Sequence, residues 1–283
     1  MEVARGVKRA GWKPVGVFVP AFLLVFLVPA GLQAIGFDRI VALTDGLVTY
    51  TLANTWVGIL LTVGIVALWY GSLELEDIGV VPSKIPVAVA VTVGCWLIFT
   101  VAQVVVGLAV GDLSLYSAWI DPGVTVTLGE TIGYFFGNVI FEELAFRGFL
   151  MVQVYLLLDG QWWQANDLAR MAAAVGGSSL LFTLFHVPAL LLGGIGLDML
   201  AFILLYAVLL CLVYVRTRNI FLAMGFHGLA NFPVPLFAVV ETTPVDFSLV
   251  WAIPGTIIVL AWPRLPFGNG RTDRATSSNL RTF

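Results

Sequence analysis

The chain has 283 residues, of which 60% are hydrophobic and only 11% charged, with a net charge of −3 and a mean hydropathy of +1.00. Soluble domains carry about 45–50% apolar and about 25% charged residues, so an ordinary soluble domain is excluded. The acidic balance excludes nucleic acid as a partner.

About 20 apolar residues cross a hydrocarbon core. In chain order, eight runs meet or approach that length: 15–35, 48–70, 86–109, 129–157, 171–193, 197–215, 219–240 and 247–262. The expected fold is all-α, a polytopic membrane protein of about eight transmembrane helices. Barrels are excluded because the runs are long and apolar, without the alternation of barrel strands. The first run follows a basic stretch but is longer than a signal-peptide core, and reads as an uncleaved helix. The fourth exceeds a simple crossing and predicts tilt or a protruding end. Pro233 and Pro235 interrupt the seventh, and the eighth is short. The chain then divides into a basic cytoplasmic tail (1–14), a membrane domain (15–262) and a polar tail (263–283) expected to be disordered.

Positive charges orient the helices. With both termini cytoplasmic, the inner side holds Arg5, Lys8, Arg9, Lys13, Lys84, Arg170, Arg216, Arg218, Arg264, Arg271, Arg274 and Arg281. The outer side holds Arg39 alone, and Arg147 lies within a span. Residues 71–85 read as a cytoplasmic connection and 110–128 as the longest outer loop. Trp162 and Trp163 suit the headgroup level. Cys95 and Cys211 fall inside apolar spans and read as buried free thiols. No internal repeat supports an inverted-repeat transporter.

The fourth run is the anomaly. It is apolar, yet it holds Glu142, Glu143 and Arg147, and a charge at the bilayer centre costs at least about 2.5–3.5 kcal/mol. Glu143 and Arg147 are four residues apart and pair on one helix face. Glu142 points away, with Asn138 one turn before it, and needs a partner on another helix. Both histidines of the chain, His186 and His227, also fall in apolar runs. His186 has Phe182 one turn earlier, and His227 has Asn231 one turn later. Gly225 and Gly228 beside His227 admit close approach of another helix or a substrate.

These residues limit the chemistry. No serine or cysteine sits in a recognisable nucleophile context, the aspartyl-protease GxGD spacing is absent, and so is HExxH. A carboxylate and a histidine can activate water, while a second histidine and an amide stabilise an oxyanion. Alternatively Glu142, His186 and His227 supply a three-ligand site for a divalent metal such as zinc, with one open position. A proton-coupled carrier is a further reading of the same buried groups.

EELAFR at 142–147, FTLFH at 182–186 and HGLAN at 227–231 reproduce in order the motifs EExxxR, FxxxH and HxxxN. In these residues the chain resembles the CAAX-protease and bacteriocin-processing (Abi) family of intramembrane endopeptidases, over about residues 125–235. The resemblance implies a glutamate-dependent protease acting near the cytoplasmic membrane face. Glu142 and His186 would activate the water, His227 and Asn231 would form the oxyanion site, and Glu143 and Arg147 would support them. It also implies a peptide or prenylated protein substrate, met in the lipid of a plasma membrane, here expected to be prokaryotic. A non-catalytic immunity or scaffold protein would keep the fold and lose the activity. Depth along the helices is a constraint: His186 lies deeper in its run than His227 does. The two meet if the fifth helix starts later than residue 171 or tilts, which places 171–175 at the interface.

Overall fold

A computed structural model describes residues 6–159, 167–192, 196–232, 235–238 and 244–262. Trp162, Trp163 and the tail 263–283 lie outside the described residues. The described chain is dominated by helix, as expected. Helix α1 is Trp12–Val25, α2 Val28–Ala34 and α3 Asp38–Leu43. Helix α4 is Tyr50–Tyr70, and α5 is Ile85–Val110. Helix α6 runs without interruption over 124–157, with wide π-type turns at Tyr134–Val139 and Glu143–Met151. Helix α7 is Asp167–Leu192, α8 Met199–Thr217, α9 Ile220–Asn231 and α10 Pro244–Ala261. Two short strands, β1 (Ser114–Leu115) and β2 (Phe237–Ala238), pair antiparallel.

Four helices are long and apolar enough to cross a membrane, Tyr50–Tyr70, Pro82–Val110, Asp167–Leu191 and Met199–Thr217, and a fifth is added if α1 and α2, bent by 41°, count as one. The expected eight is thus met only in part. Helix α6 has the length, but Glu130, Glu142, Glu143 and Arg147 lower its hydropathy. The expected seventh span, 219–240, is corrected. Helix α9 stops at Asn231 because Phe232 turns to extended backbone (φ −150°, ψ 86°), ahead of the prolines at 233 and 235. At about 1.5 Å per residue it covers roughly 18 Å, short of the ~30 Å hydrocarbon core. Beyond it the chain forms β2.

Helix ends follow local chemistry. Asn219 caps α9, its side chain accepting from the backbone N–H groups of Phe221 and Leu222, the usual way to satisfy first-turn donors. Arg218 ends α8 in the left-handed region (φ 53°), and its N–H returns to Tyr214. At one end of the bundle, cations from other segments cover the carbonyls of four helix C-termini. Lys8 Nζ reaches Ser72 O after α4 (2.7 Å) and Arg9 reaches Leu156 O of α6. Lys84 Nζ reaches Arg218 O after α8 (2.6 Å), and Arg216 Nε reaches Val259 O of α10 (3.1 Å). Each cation meets the negative end of a helix dipole. We call this the capped end. The starts of α1, α5, α7 and α9 adjoin it, so neighbouring helices alternate in direction.

The core is rich in phenylalanine. Phe18 and Phe22 of α1 pack on Phe141, Phe146 and Phe149 of α6. Phe182 and Phe185 of α7 close the group from the other side. Helix α9 is wedged between α5 and α6. A methyl group at Gly225 would overlap Thr92 of α5, and one at Gly228 would overlap Phe135 of α6. The closeness expected of those glycines is therefore used by helices.

Candidate active site

Helix α6 carries Glu142, Glu143 and Arg147 into the centre of the bundle, and α9 sets His227 against them. His227 Nδ1 stands 2.7 Å from Glu143 Oε1, and Nε2 stands 3.3 Å from Glu142 Oε2. Arg147 Nη1 lies 3.0 Å from the same Glu143 oxygen. The cluster is buried: Glu143 and Arg147 are 0% exposed, His227 1% and Glu142 8%. Glu142 alone has an outlet.

Burying unpaired charge costs several kcal/mol per ion, and here two carboxylates face one guanidinium and one imidazole. Glu143 Oε1 can only accept from His227, so Nδ1 carries a hydrogen and Nε2 is turned to Glu142. Satisfaction is incomplete, however. Glu142 Oε2, Glu143 Oε2, Arg147 Nε and Arg147 Nη1 are buried without an aligned hydrogen bond.

Phe182 ties the second histidine to this group. The Arg147 guanidinium lies 4.3 Å over the Phe182 ring, a cation–π contact. That ring is 4.5 Å from the His186 ring and 6.0 Å from the His227 ring. His186 Nδ1 is 2.8 Å from the carbonyl of Phe182, which can only accept, so Nε2 is the basic nitrogen of His186.

The depth constraint is resolved differently from the sequence expectation. Helix α7 begins earlier than residue 171, at Asp167. It is α9 that begins deeper, with Ile220 packed beside Gly148 of α6 and Ile78. Asp167 instead meets Tyr155, nearer the end of α6. The staggered starts let Phe182 and His227 reach one level.

Residues 125–233 match the family described as Type II CAAX prenyl endopeptidase, Rce1-like. This segment is an Rce1-like domain. Comparisons with curated proteins and with solved structures returned no match. The match spans less than half of the 283 residues, and with the long apolar helices it indicates an integral membrane protein.

The Rce1-like domain covers nearly all of α6 and all of α7, α8 and α9, hence every motif residue. Within it the structure brings together Glu142, Glu143, Arg147, Phe182 and His227, while His186 touches Phe182 of its own helix and makes no hydrogen bond or ion pair with either carboxylate. It holds Asn138 and Asn231 apart from them. Asn138 is half-buried one turn before Glu142, and Asn231 is exposed at the end of α9. No hydrogen bond joins either amide to the cluster. The oxyanion role implied for His227 meets a difficulty, because both its ring nitrogens face carboxylates. Among the described residues no three His, Cys, Asp or Glu side chains, Glu142, His186 and His227 included, group so as to hold a metal ion.

Sequence reasoning missed Tyr206 of α8. Its ring stands 5.4 Å from His227, edge-on at 80°, and it is buried. A tyrosine in an apolar run carries no signal of this placement; only the packing of α8 against α9 reveals it.

Proposed function

We propose that the chain is a glutamate-dependent intramembrane endopeptidase of a prokaryotic plasma membrane, with both termini in the cytoplasm. The observation that carries it is His227 held between Glu142 and Glu143 with Arg147 behind them. The orientation is supported by the capped end, which collects the cations that mark a cytoplasmic face.

Glu142 is the general base. Its carboxylate takes a proton from a water as the water oxygen attacks the peptide carbonyl carbon. The same carboxyl then returns that proton to the amide nitrogen as the C–N bond breaks. His227, fixed by Glu143 through Nδ1, holds the Glu142 carboxylate in place through Nε2. Arg147 compensates Glu143, so that Glu142 is the carboxylate left for chemistry. His186 presents Nε2 to orient the water. Asn231, one turn past His227, is the amide available to a developing oxyanion. The substrate is a membrane-associated peptide or protein segment, prenylated CAAX sequences being the class that the family's description names.

The test compares detergent-purified wild type with Glu142→Gln on a peptide panel containing a farnesylated CAAX peptide, read by mass spectrometry. Both proteins must elute as one monodisperse peak. Cleavage by wild type alone is expected. Equal cleavage by Glu142→Gln would remove glutamate dependence.

A further inference from the structure

Two side chains meet Glu143 at one oxygen. Arg147 Nη1 and His227 Nδ1 stand 3.0 and 2.7 Å from Oε1. Arg147 lies four residues along the same helix, so its place follows from α6 alone. His227 comes from α9, and its ring has to be aimed. The χ2 torsion of a histidine is broad and roughly two-fold. A half-turn about it exchanges Nδ1 with Cδ2 and Nε2 with Cε1, and takes both nitrogens off the carboxylates.

Two rings from other helices supply the aim. Phe182 of α7 meets the imidazole at 6.0 Å between centroids with planes at 68°, and Tyr206 of α8 meets it at 5.4 Å with planes at 80°. Both are edge-to-face pairs within the range, about 4.5–7 Å, in which aromatic rings attract. Tyr206 is the nearer. It is 6% exposed while Leu205 beside it is 72% exposed, so α8 turns this ring inward. Helix α8 is itself held at this height. Ala207 O accepts from Arg147 Nη2 (3.4 Å), so adjacent residues of α8 touch both side chains that meet Glu143. One turn on, the buried Cys211 thiol lies 3.6 Å from the Ser179 hydroxyl of α7, and Ser178 donates to Phe146 O of α6 (3.0 Å). Ser179 and Phe182 are three residues apart on α7, and Ala207 and Cys211 four apart on α8, so each pair shares a helix face. The contacts that set the register of α7 and α8 thus also set the level of the two rings.

The geometry points to Tyr206 as a positioning residue of the active site: its ring, with that of Phe182, holds the His227 imidazole in the one rotamer that keeps Nδ1 on Glu143 and Nε2 on Glu142. Tyr206 acts through His227 and not on the substrate. The aromatic ring carries the role and the hydroxyl does not, so phenylalanine serves in its place and an aliphatic side chain fails. The effect on cleavage rests on the endopeptidase reading, whereas the hold on the imidazole belongs to the resting fold and is read without substrate.

The experiment compares the full-length wild type in detergent with Tyr206→Phe and Tyr206→Leu. The chain has two histidines, so nitrogen-15 histidine labelling gives ring signals from two residues, and His186→Gln identifies those of His227. The Nδ1–H hydrogen is shut between His227 and Glu143, so it should exchange slowly with water and appear in the proton–nitrogen NMR spectrum of the wild type. The expected result is that this signal persists in Tyr206→Phe and is lost to exchange in Tyr206→Leu, with both variants eluting as one monodisperse peak. On a peptide that the wild type cleaves, kcat should stay near wild type in Tyr206→Phe. In Tyr206→Leu it should fall by roughly 10- to 10²-fold with KM unchanged, as for a misplaced catalytic group. A signal that lasts equally in Tyr206→Leu would overturn the inference, as would its absence from the wild type. Equal losses in Tyr206→Phe and Tyr206→Leu would move the role to the hydroxyl and overturn it too, and a raised KM with kcat unchanged would place the ring in substrate binding instead. Should Tyr206→Leu lose its monodisperse peak, Tyr206→Met takes its place with the same expected outcomes. No cleavage by the wild type, with the NMR signals as expected, would count against the endopeptidase reading and leave the hold on His227 standing.

Discussion

Gln153 and the 142–147 cluster lie on the same helix and are equally buried, yet they treat their polar atoms in opposite ways. Gln153 spends both amide atoms on the backbone of residues 8 and 10. The cluster leaves Glu142 Oε2, Glu143 Oε2 and two guanidinium nitrogens without aligned partners, each a cost of about 1–3 kcal/mol or more. The first region is built for stability. The second tolerates unsatisfied atoms as an active site does, where groups are kept for a substrate or water to complete.

Four single variants and one double variant test that contrast. Glu142→Gln should lower peptide cleavage by about 10²- to 10⁴-fold with little change in thermal unfolding in detergent; a large loss of stability would make Glu142 structural. Arg147→Met should destabilise the fold by about 3–5 kcal/mol, because Glu143 is left buried beside one partner fewer. The double variant Arg147→Met, Glu143→Gln should recover much of that loss in the same unfolding assay. Gly228→Ala should cost about 1–3 kcal/mol through overpacking against Phe135, and should lower cleavage further by moving His227 off the carboxylates. Gln153→Leu should cost about 1 kcal/mol, since the freed groups of Lys8 and Ala10 can turn to water. Its cleavage rate should stay near wild type, and a large fall would join the two regions functionally.

The sequence makes the cluster legible and its wiring only partly so. Charges at 142, 143 and 147 stand out because their surroundings are apolar, and four-residue spacing correctly pairs Glu143 with Arg147. That His227 bridges both glutamates depends on α9 starting deeper than α7. That stagger is set by Ile220, Gly148 and Ile78 packing together, a tertiary fact with no periodic signature. Pro233 and Pro235 did mark the break in the seventh run, but hydropathy alone could not show that the helix stops at Asn231. Gln153 is silent in sequence because its partners are backbone groups, which every residue offers.

The pairing scheme also sets an order of events during synthesis. Glu143 and Arg147 belong to one turn of helix and neutralise each other as soon as α6 leaves the ribosome and enters the bilayer. Glu142 has no such companion until His227, 85 positions later in the chain, has been made. In that interval a half-finished protein carries a solitary acid in lipid. The cluster is therefore completed by the C-terminal part of the chain, and a chain cut short before α9 keeps an unaccompanied carboxyl group among its apolar helices.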